Sequence, residues 1–325
     1  MDIVTPFKIN KENSGLVRNY LLENNLEMKF SFKHKIYYNL VRPLLPIPLR
    51  KLLQEKYNSI ISYKENFIND ELVSLILNNH QDFSLFPNNF QCSVILTHDV
   101  EEEEGFNYIP KVLELEEELG FKSSWNIVPY KYKIDNGIIN LINQNKHEIG
   151  IHGYNHDGKL YYSEKHFNER VPYINDALKK YNAVGFRSPM VHRNLRWLQK
   201  LDISYDASCF DYDPFQPFPG GTGSIWPFIA GKFVELPYTI PQDHTLFYIL
   251  KQKNINIWIE KIKWLQRNNG MILVLTHPDY LQSKENFSMY RDLLQYLRDI
   301  SDAWFCLPKE MAEFIRQNSV KYSIS

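Results

Sequence analysis

The sequence predicts an α/β fold, a distorted (β/α) barrel of seven or eight strands with an N-terminal, mostly helical extension. Three observations lead there. From about residue 92 onward, short β-rich runs alternate with amphipathic helical stretches, the rhythm of parallel strands joined by crossover helices. Seven or eight such β/α units follow one another, enough to close a ring rather than leave an open sheet. The chain of 325 residues also exceeds the roughly 250 that such a barrel occupies, which leaves residues 1–90 as an extension and 91–325 as the barrel.

Residues 1–90 do not share the rhythm. Between Lys29 and Tyr57 stand seven Lys/Arg and one acid, interleaved with Phe30, Phe32, Tyr37, Tyr38 and the proline-broken run PLLPIPL. Such a segment suits an anionic lipid or a phosphorylated carrier, and with it a peripheral membrane contact through residues 29–57. The plainer explanation is a helical appendage packed on the barrel with its basic face in water. The first strand is the run Ser93 to Thr97. A helix is expected next, with Pro110 at its start, Val112, Leu115 and Leu119 on one stripe, and Gly120 at its end. The alternation continues through SSWNIV, a helix around Ile138 to Asn145, and EIGI before His152. The next helix carries Phe167, Val171, Ile174, Leu178 and Tyr181 three and four residues apart, a continuous apolar stripe. Then come VGF before Arg187, a helix with Leu195, Leu198 and Leu201, the short ISY, the strand FVELPY, a helix from Ile257 to Arg267, and MILVLT before His277. A helix through Leu293, Leu294 and Leu297, the run AWFCL and a closing helix complete the count.

Composition narrows the function. With 37 Lys+Arg against 38 Asp+Glu the net charge is -1, without the basic excess of a nucleic-acid binder. Hydrophobic residues at 44% and aromatics at 14% are ample for a core. Cys92, Cys209 and Cys306 are too few and too scattered for a disulfide framework or a thiolate zinc site, which fits a reducing compartment. The stretch MDIVTPFKINKENSG lacks the apolar core of a secretory signal, and no run approaches the roughly 18 apolar residues of a membrane span. The expectation is a soluble, cytoplasmic protein, at most peripheral at the inner face of the membrane, with no obligatory protein partner.

The residues that can do chemistry fall at predicted strand ends. His152 and His156, in HGYNH, follow a buried-looking strand at the four-residue spacing that lets two imidazoles reach one metal. Such pairs also arise by chance, and position is what raises this one above chance. In THDVE, Asp99 and Glu101 stand two apart, so in an extended chain they share a face while His98 points away. A two-histidine, one-carboxylate site plus a free base becomes available, although two acids ahead of a helix also serve simply as an N-terminal charge pair. His277, in LTHP, ends another strand and can protonate a leaving group across the barrel mouth. Arg187, in FRSP, can hold a catalytic carboxylate ionised, or make an ordinary ion pair.

Taken together, THDVE, HGYNH, FRSP and LTHP resemble, in that order, the motifs of the NodB-homology polysaccharide deacetylases, carbohydrate esterase family four. The resemblance covers about residues 92–310 and is clean at the HxxxH, RxP and LxH elements. It departs at the first motif, where the family has adjacent aspartates and this chain has Asp99, Val100 and Glu101. The resemblance implies Asp99 as base, Arg187 holding it, His277 as acid, and Glu101, His152 and His156 as metal ligands; Asp99 in place of Glu101 as the carboxylate ligand stays open. The family's Asp- and Trp-rich motif is diffuse here, leaving Asp206, Asp211, Asp213 and Trp226 as substrate contacts, with Gln242 and Asp243 beside them. The same residues serve equally as ordinary loop formers.

The implied reaction is metal-assisted hydrolysis of an N-acetyl, rather than O-acetyl, group from a sugar, with one divalent ion, zinc by default and cobalt, nickel or iron as alternatives. A cytoplasmic location points to a surface-polysaccharide precursor on a lipid or nucleotide carrier. Two rivals from other classes are a non-catalytic carbohydrate-binding module on a decayed barrel and a glycosidase pairing Asp99 with Asp206.

Overall fold

The computed structural model describes residues 1–23, 36, 44, 46–77, 85–317 and 322–324. The first two strands along the chain, the three-residue β1 (Ile3–Thr5) and the nine-residue β2 (Cys92–Val100), are separated by helices Lys11–Leu21, Ile47–Asn58 and Glu71–Leu77. Next come β3 (Ser123–Ile127), β4 (Glu148–His152), β5 (Gly185–Arg187), β6 (Tyr205–Asp206), β7 (Phe228–Ala230) and β8 (Phe233–Glu235). The series ends with β9 (Met271–Thr276), β10 (Ala303–Phe305) and β11 (Tyr322–Ile324).

Parallel pairing runs β2, β3, β4, β5, β6, β8 around the sheet. The β2 residues Leu96 to His98 pair with both β3 and β9, so these two strands lie on opposite edges of β2. β10 pairs with Cys92 to Val94, below β3 on the same edge. The ring closes without a regular ladder. Beyond β8, Thr239 donates its N–H to the Leu273 carbonyl at 3.3 Å and its hydroxyl to the Met271 carbonyl at 2.6 Å, while accepting from the Leu273 N–H at 3.0 Å. A ring of seven parallel strands with β10 alongside is the distorted barrel that the alternation of elements implies.

Interior and exterior follow from the two-residue period of β2. Its nine residues are all buried, because one face lines the barrel and the other lies under helices. Thr97 and Asp99 turn inward, where Arg187 reaches both; His98 turns outward to Glu116 and Tyr290 on the helices Glu103–Glu118 and Lys284–Arg298.

Three local readings change. The helix after β2 begins at Glu103, so Pro110 lies inside it rather than at its start. The start is set instead by Asp279, whose carboxylate accepts the N–H groups of Glu101 at 3.0 Å and Glu102 at 3.1 Å, leaving Pro110 to forgo one helical hydrogen bond. The helix does end at Gly120: the N–H groups of Gly120 and Phe121 donate to the carbonyls of Glu117 and Glu116. The helix expected through Leu201 is a single turn, Leu195–Leu198. Third, β1, β7 and β11 carry no periodic signal, being three residues each, yet they extend the sheet in antiparallel fashion from β8.

The first residues of the chain thus enter the barrel's own sheet, and Phe7, Val17, Leu72 and Val73 belong to the same hydrophobic core as the barrel strands. Arg193 adds a buried bidentate ion pair to Glu23, both contacts 2.7 Å. Residues 24–35, 37–43 and 45 lie outside the described residues, and with them Phe30, Phe32, Tyr37, Tyr38 and most of the basic stretch. Among the described residues no helix is long and apolar enough to cross a membrane.

Candidate active site

The carboxyl ends of β2, β4, β5 and β9 converge on one polar cluster. Asp99, near the end of β2, is 2% exposed. It accepts hydrogen bonds from Asn126 on β3 at 2.9 Å and from Arg187 on β5 at 3.1 Å. Arg187, fully buried, also donates to the Thr97 hydroxyl at 2.9 Å and, through Nε, to the Ala207 carbonyl at 2.7 Å. A guanidinium held by three fixed acceptors cannot swing away, so it works as a positioning group for Asp99. Burial alone would raise the Asp99 pKa, but His152, Arg187 and His277 and the Asn126 N–H together draw it below its ordinary value.

Glu101, His152 and His156 each offer a ligand atom, all within 4.8 Å of one another. His152 donates from Nδ1 to the Arg187 carbonyl at 3.0 Å. That hydrogen bond fixes the tautomer and leaves Nε2 as a buried lone-pair donor without a hydrogen-bond partner. Burial lowers the His152 pKa to about 4, so the ring is neutral at pH 7, as metal ligation requires. Burial opposes ionisation of Glu101, yet His156, with Nε2 3.0 Å from Oε1, then His277 and His152, hold that carboxyl well below its ordinary value. Two imidazole nitrogens, one of them without any partner, converging on one ionised carboxylate form a donor set suited to a divalent cation.

Local backbone chemistry delivers these atoms. Gly153, at φ 69, turns the chain after His152 where a Cβ would overlap Pro189, so HGYNH packs directly on the RSP segment. His156 itself stands at φ 57, a left-handed conformation that costs a non-glycine residue about 1 kcal/mol or more. On the other side of Glu101, His277 Nε2 lies 3.9 Å from Oε1.

His277 is held by Asp243. The imidazole Nδ1 is 2.6 Å from Oδ1, and the His277 backbone N–H donates to Oδ2 at 2.7 Å. Burial would lower the His277 pKa, but the Asp243 charge and hydrogen bond, aided by Glu101 and Asp99, raise it to about 10. At neutral pH this imidazole carries the proton that a general acid needs.

The comparisons with known proteins divide sharply. No family model matches the chain, and no curated protein matches it. Solved structures do. One described as a polysaccharide deacetylase from Mycobacterium smegmatis aligns with a TM-score of 0.58 at 17% identity, covering 71% of this chain and 92% of its own. Another so described, from Pseudomonas aeruginosa PAO1, gives 0.57 at 15%, covering 75% and 97%. The chain has the polysaccharide-deacetylase fold. That fold also carries other chemistry: Puue allantoinase aligns with a TM-score of 0.57 at 13% identity, over 80% of this chain and 100% of its own. On the deacetylase fold the site residues lie at the barrel end where β/α barrels place their chemistry.

The residues expected to contact substrate through the diffuse motif take other positions. Asp206 is fully buried on β6, accepting from the Ser208 hydroxyl at 2.7 Å, and burial together with its neighbour Glu235 keeps the pair's protonation raised. Asp211 is paired with Lys261 at 2.5 Å, and Lys261 also donates to the Phe67 carbonyl at 2.6 Å, tying the N-terminal region to the barrel. Asp213 is fully buried and accepts from the Phe215 N–H and Gln216. Trp226 is fully buried toward the opposite end of the barrel, its indole donating to the Asn269 carbonyl at 2.8 Å. Gln242 is 7% exposed beside Tyr238, and Asp243, fully buried, serves His277 instead of a substrate. Asp206, Asp211, Asp213 and Asp243 are thus each engaged by protein partners.

Two residues of the site escaped sequence reasoning. Asn126 reaches Asp99 only because β2 and β3 pair with these two in register, which no local pattern displays. Asp279 is the more legible. It follows His277 by two residues, and its hydrogen bonds to the Glu101 and Glu102 N–H groups lock the ligand strand end to the acid strand end. The close approach requires Gly105, where a Cβ would overlap the Asp279 carboxylate. An acid just after a strand-end histidine was the available signal.

Proposed function

We propose that this protein hydrolyses an N-acetyl group on a sugar, releasing acetate and an amino sugar, with a divalent metal held by Glu101, His152 and His156. One observation carries the reading: two imidazoles, that of His152 with a buried nitrogen that has no partner, share a cluster with an ionised carboxylate, between a held base and a held acid. A divalent ion at such a donor set supplies Lewis acidity toward the acyl oxygen and makes water a better nucleophile at neutral pH. Asp99, ionised and fixed by Arg187 and Asn126, accepts the proton of the attacking water. His277, kept protonated by Asp243, gives its proton to the departing amine nitrogen. Imidazole and carboxylate ligands suit zinc first, then cobalt, nickel or iron.

The rivals fare worse on the geometry. A glycosidase pairing Asp99 with Asp206 needs both carboxylates open to a sugar, and Asp206 has no exposed surface. A decayed barrel has no reason to keep the Arg187–Asp99 and Asp243–His277 pairs, each of which costs several kcal/mol when left half-broken in a buried setting.

The substrate class we favour is a cytoplasmic surface-polysaccharide precursor, an N-acetylated sugar on a lipid or nucleotide carrier. Support comes from three buried, unpaired cysteines and from the basic, aromatic stretch 29–57, whose helix Ile47–Asn58 exposes Leu49, Leu53 and Tyr57. Metal analysis followed by acetate release from N-acetylated sugar nucleotides and lipid-linked sugars tests the activity. Full metal occupancy with no acetate from any of them would overturn it. Co-sedimentation with anionic liposomes at low salt tests the membrane contact, which is lost if the protein stays in the supernatant.

A further inference from the structure

Beside the acid His277 stands a run of aromatic rings that the reaction itself does not use. Tyr280, three residues on in the short helix Pro278–Tyr280, has its ring centroid 4.9 Å from that of His277. Tyr248 lies 4.9 Å beyond Tyr280. His244 closes the group, 5.4 Å from Tyr280 and 6.0 Å from Tyr248, nearly parallel to the latter at 21°. Exposure rises outward along this series: His277 is 4% exposed, Tyr280 and His244 are half-buried, and Tyr248 is 47% exposed. His244 and Tyr248 sit on a π-helical turn, His244–Ile249, that starts directly after Asp243. Turns of this type are uncommon and concentrate at functional sites.

We propose that Tyr280, Tyr248 and His244 form the subsite that stacks the pyranose ring bearing the departing amine. This rests on the deacetylase reading and adds to it the place of the sugar. The argument is positional. His277 must deliver its proton to the leaving nitrogen within hydrogen-bond reach, so the ring bearing that nitrogen lies on the His277 side of the ligand cluster. The other side, by strand order, belongs to β3 and β4, since β9 and β3 occupy opposite edges of β2. Of the tyrosines there, Tyr154 is already covered: the Arg170 guanidinium lies 5.1 Å from the centre of its ring and is itself paired with both carboxylate oxygens of Asp157, while Tyr130 and Tyr173, packed on Tyr154, stay exposed but have no ring contact with His277. On the acid side, partly exposed ring faces beside the leaving-group position suit the apolar C–H face of a sugar, and their hydroxyls suit its polar edge. Burial, followed by the neighbouring His277 charge, lowers the His244 pKa, so this ring presents a neutral face at pH 7.

Binding and turnover separate this inference from the reading beneath it. Calorimetric titration of wild-type protein, Tyr248→Ala and Tyr248→Trp with methyl glucosaminide, the deacetylated product form, reads the subsite without any catalysis. Affinity is expected to fall at least fivefold in Tyr248→Ala and to return in Tyr248→Trp. Acetate release from the sugarless 4-nitroacetanilide reads the chemistry alone, and the loss in Tyr248→Ala should be at least fivefold smaller there than on the N-acetyl sugar. Equal sugar affinity in wild type and Tyr248→Ala, no sugar binding by wild type, or an equal loss on the anilide would each overturn the subsite. Sugar binding that depends on Tyr248 in a protein that releases no acetate would sustain the subsite and sink the deacetylase reading.

Discussion

Neighbouring residues of β2 open onto two polar clusters built from the same side-chain types. Inward, Asp99 and, just past the strand, Glu101 meet His152, His156 and His277. Outward, His98 meets Glu116, Thr276 and Tyr290. The outer cluster is closed: His98 Nε2 lies 2.7 Å from Glu116, its Nδ1 lies 2.9 Å from the Thr276 hydroxyl, and the Glu116 carboxylate also accepts from Ser123 and Tyr290, each at 2.5 Å. The inner cluster leaves the His152 Nε2 without a partner and gives the His156 Nε2 only the Glu101 carboxylate beside it. A histidine and a carboxylate in contact therefore do not distinguish a scaffold from a metal site; saturation of their hydrogen bonds does.

The comparison breaks most decisively at the ligands. His152→Ala or His156→Ala is expected to abolish stoichiometric metal and activity together, whereas His98→Ala should keep both and lose about 2–4 kcal/mol of stability by stranding Glu116. Elemental analysis and urea unfolding read the two effects. A folded His98→Ala protein without metal would erase the distinction. Next in size, His277→Ala should retain the metal and slow turnover by about 10²–10⁴-fold, and unchanged turnover would remove it as the acid. Asp279→Ala, which frees the Glu101 and Glu102 N–H groups, should weaken metal affinity about 10–100-fold, measured by competition with a chelator, and cost about 0.5–2 kcal/mol of stability by uncapping the helix.

An effect on stability alone, with none on metal or turnover, lies at the far end of β4, in the buried carboxylate of Glu148. Glu148 accepts from the Tyr205 hydroxyl at 2.8 Å and from the Lys309 N–H at 3.2 Å, and burial raises its pKa from 4.5 to about 7. The folded state then holds this proton more tightly than the unfolded one, so the contribution to stability is present below pH 4.5 and is lost as pH rises to about 7. Glu148→Gln should flatten this slope and gain up to roughly 3 kcal/mol at pH 8, with metal content unchanged. Parallel pH–stability curves for the two proteins would show that the raised pKa is not what sets the slope.

Much of this was legible along the chain. The β/α alternation implied the barrel because strands and crossover helices write their burial into local periods of two and 3.6. THDVE, HGYNH, FRSP and LTHP could be placed at strand ends for the same reason, and the two-residue offset of Asp99 and Glu101 separated them from His98 before any contact was known. Other features were not written locally. The strands Phe228–Ala230 and Tyr322–Ile324 are too short to show a period. Asp206, Asp213 and Trp226 look like exposed loop residues in sequence and are fully buried in the fold.

By itself, then, the sequence determined the order of elements, the faces of the strands and the side chains brought to the barrel mouth, because each of these follows from spacing within a dozen residues. Only the tertiary structure decided which of them saturate one another. Asp243 lies under His277 and Arg187 against Asp99 because residues 34 and 88 positions apart meet when β9 and β5 take their places in the closed ring. Hydrogen-bond saturation depends on register and closure, which local periodicity does not encode.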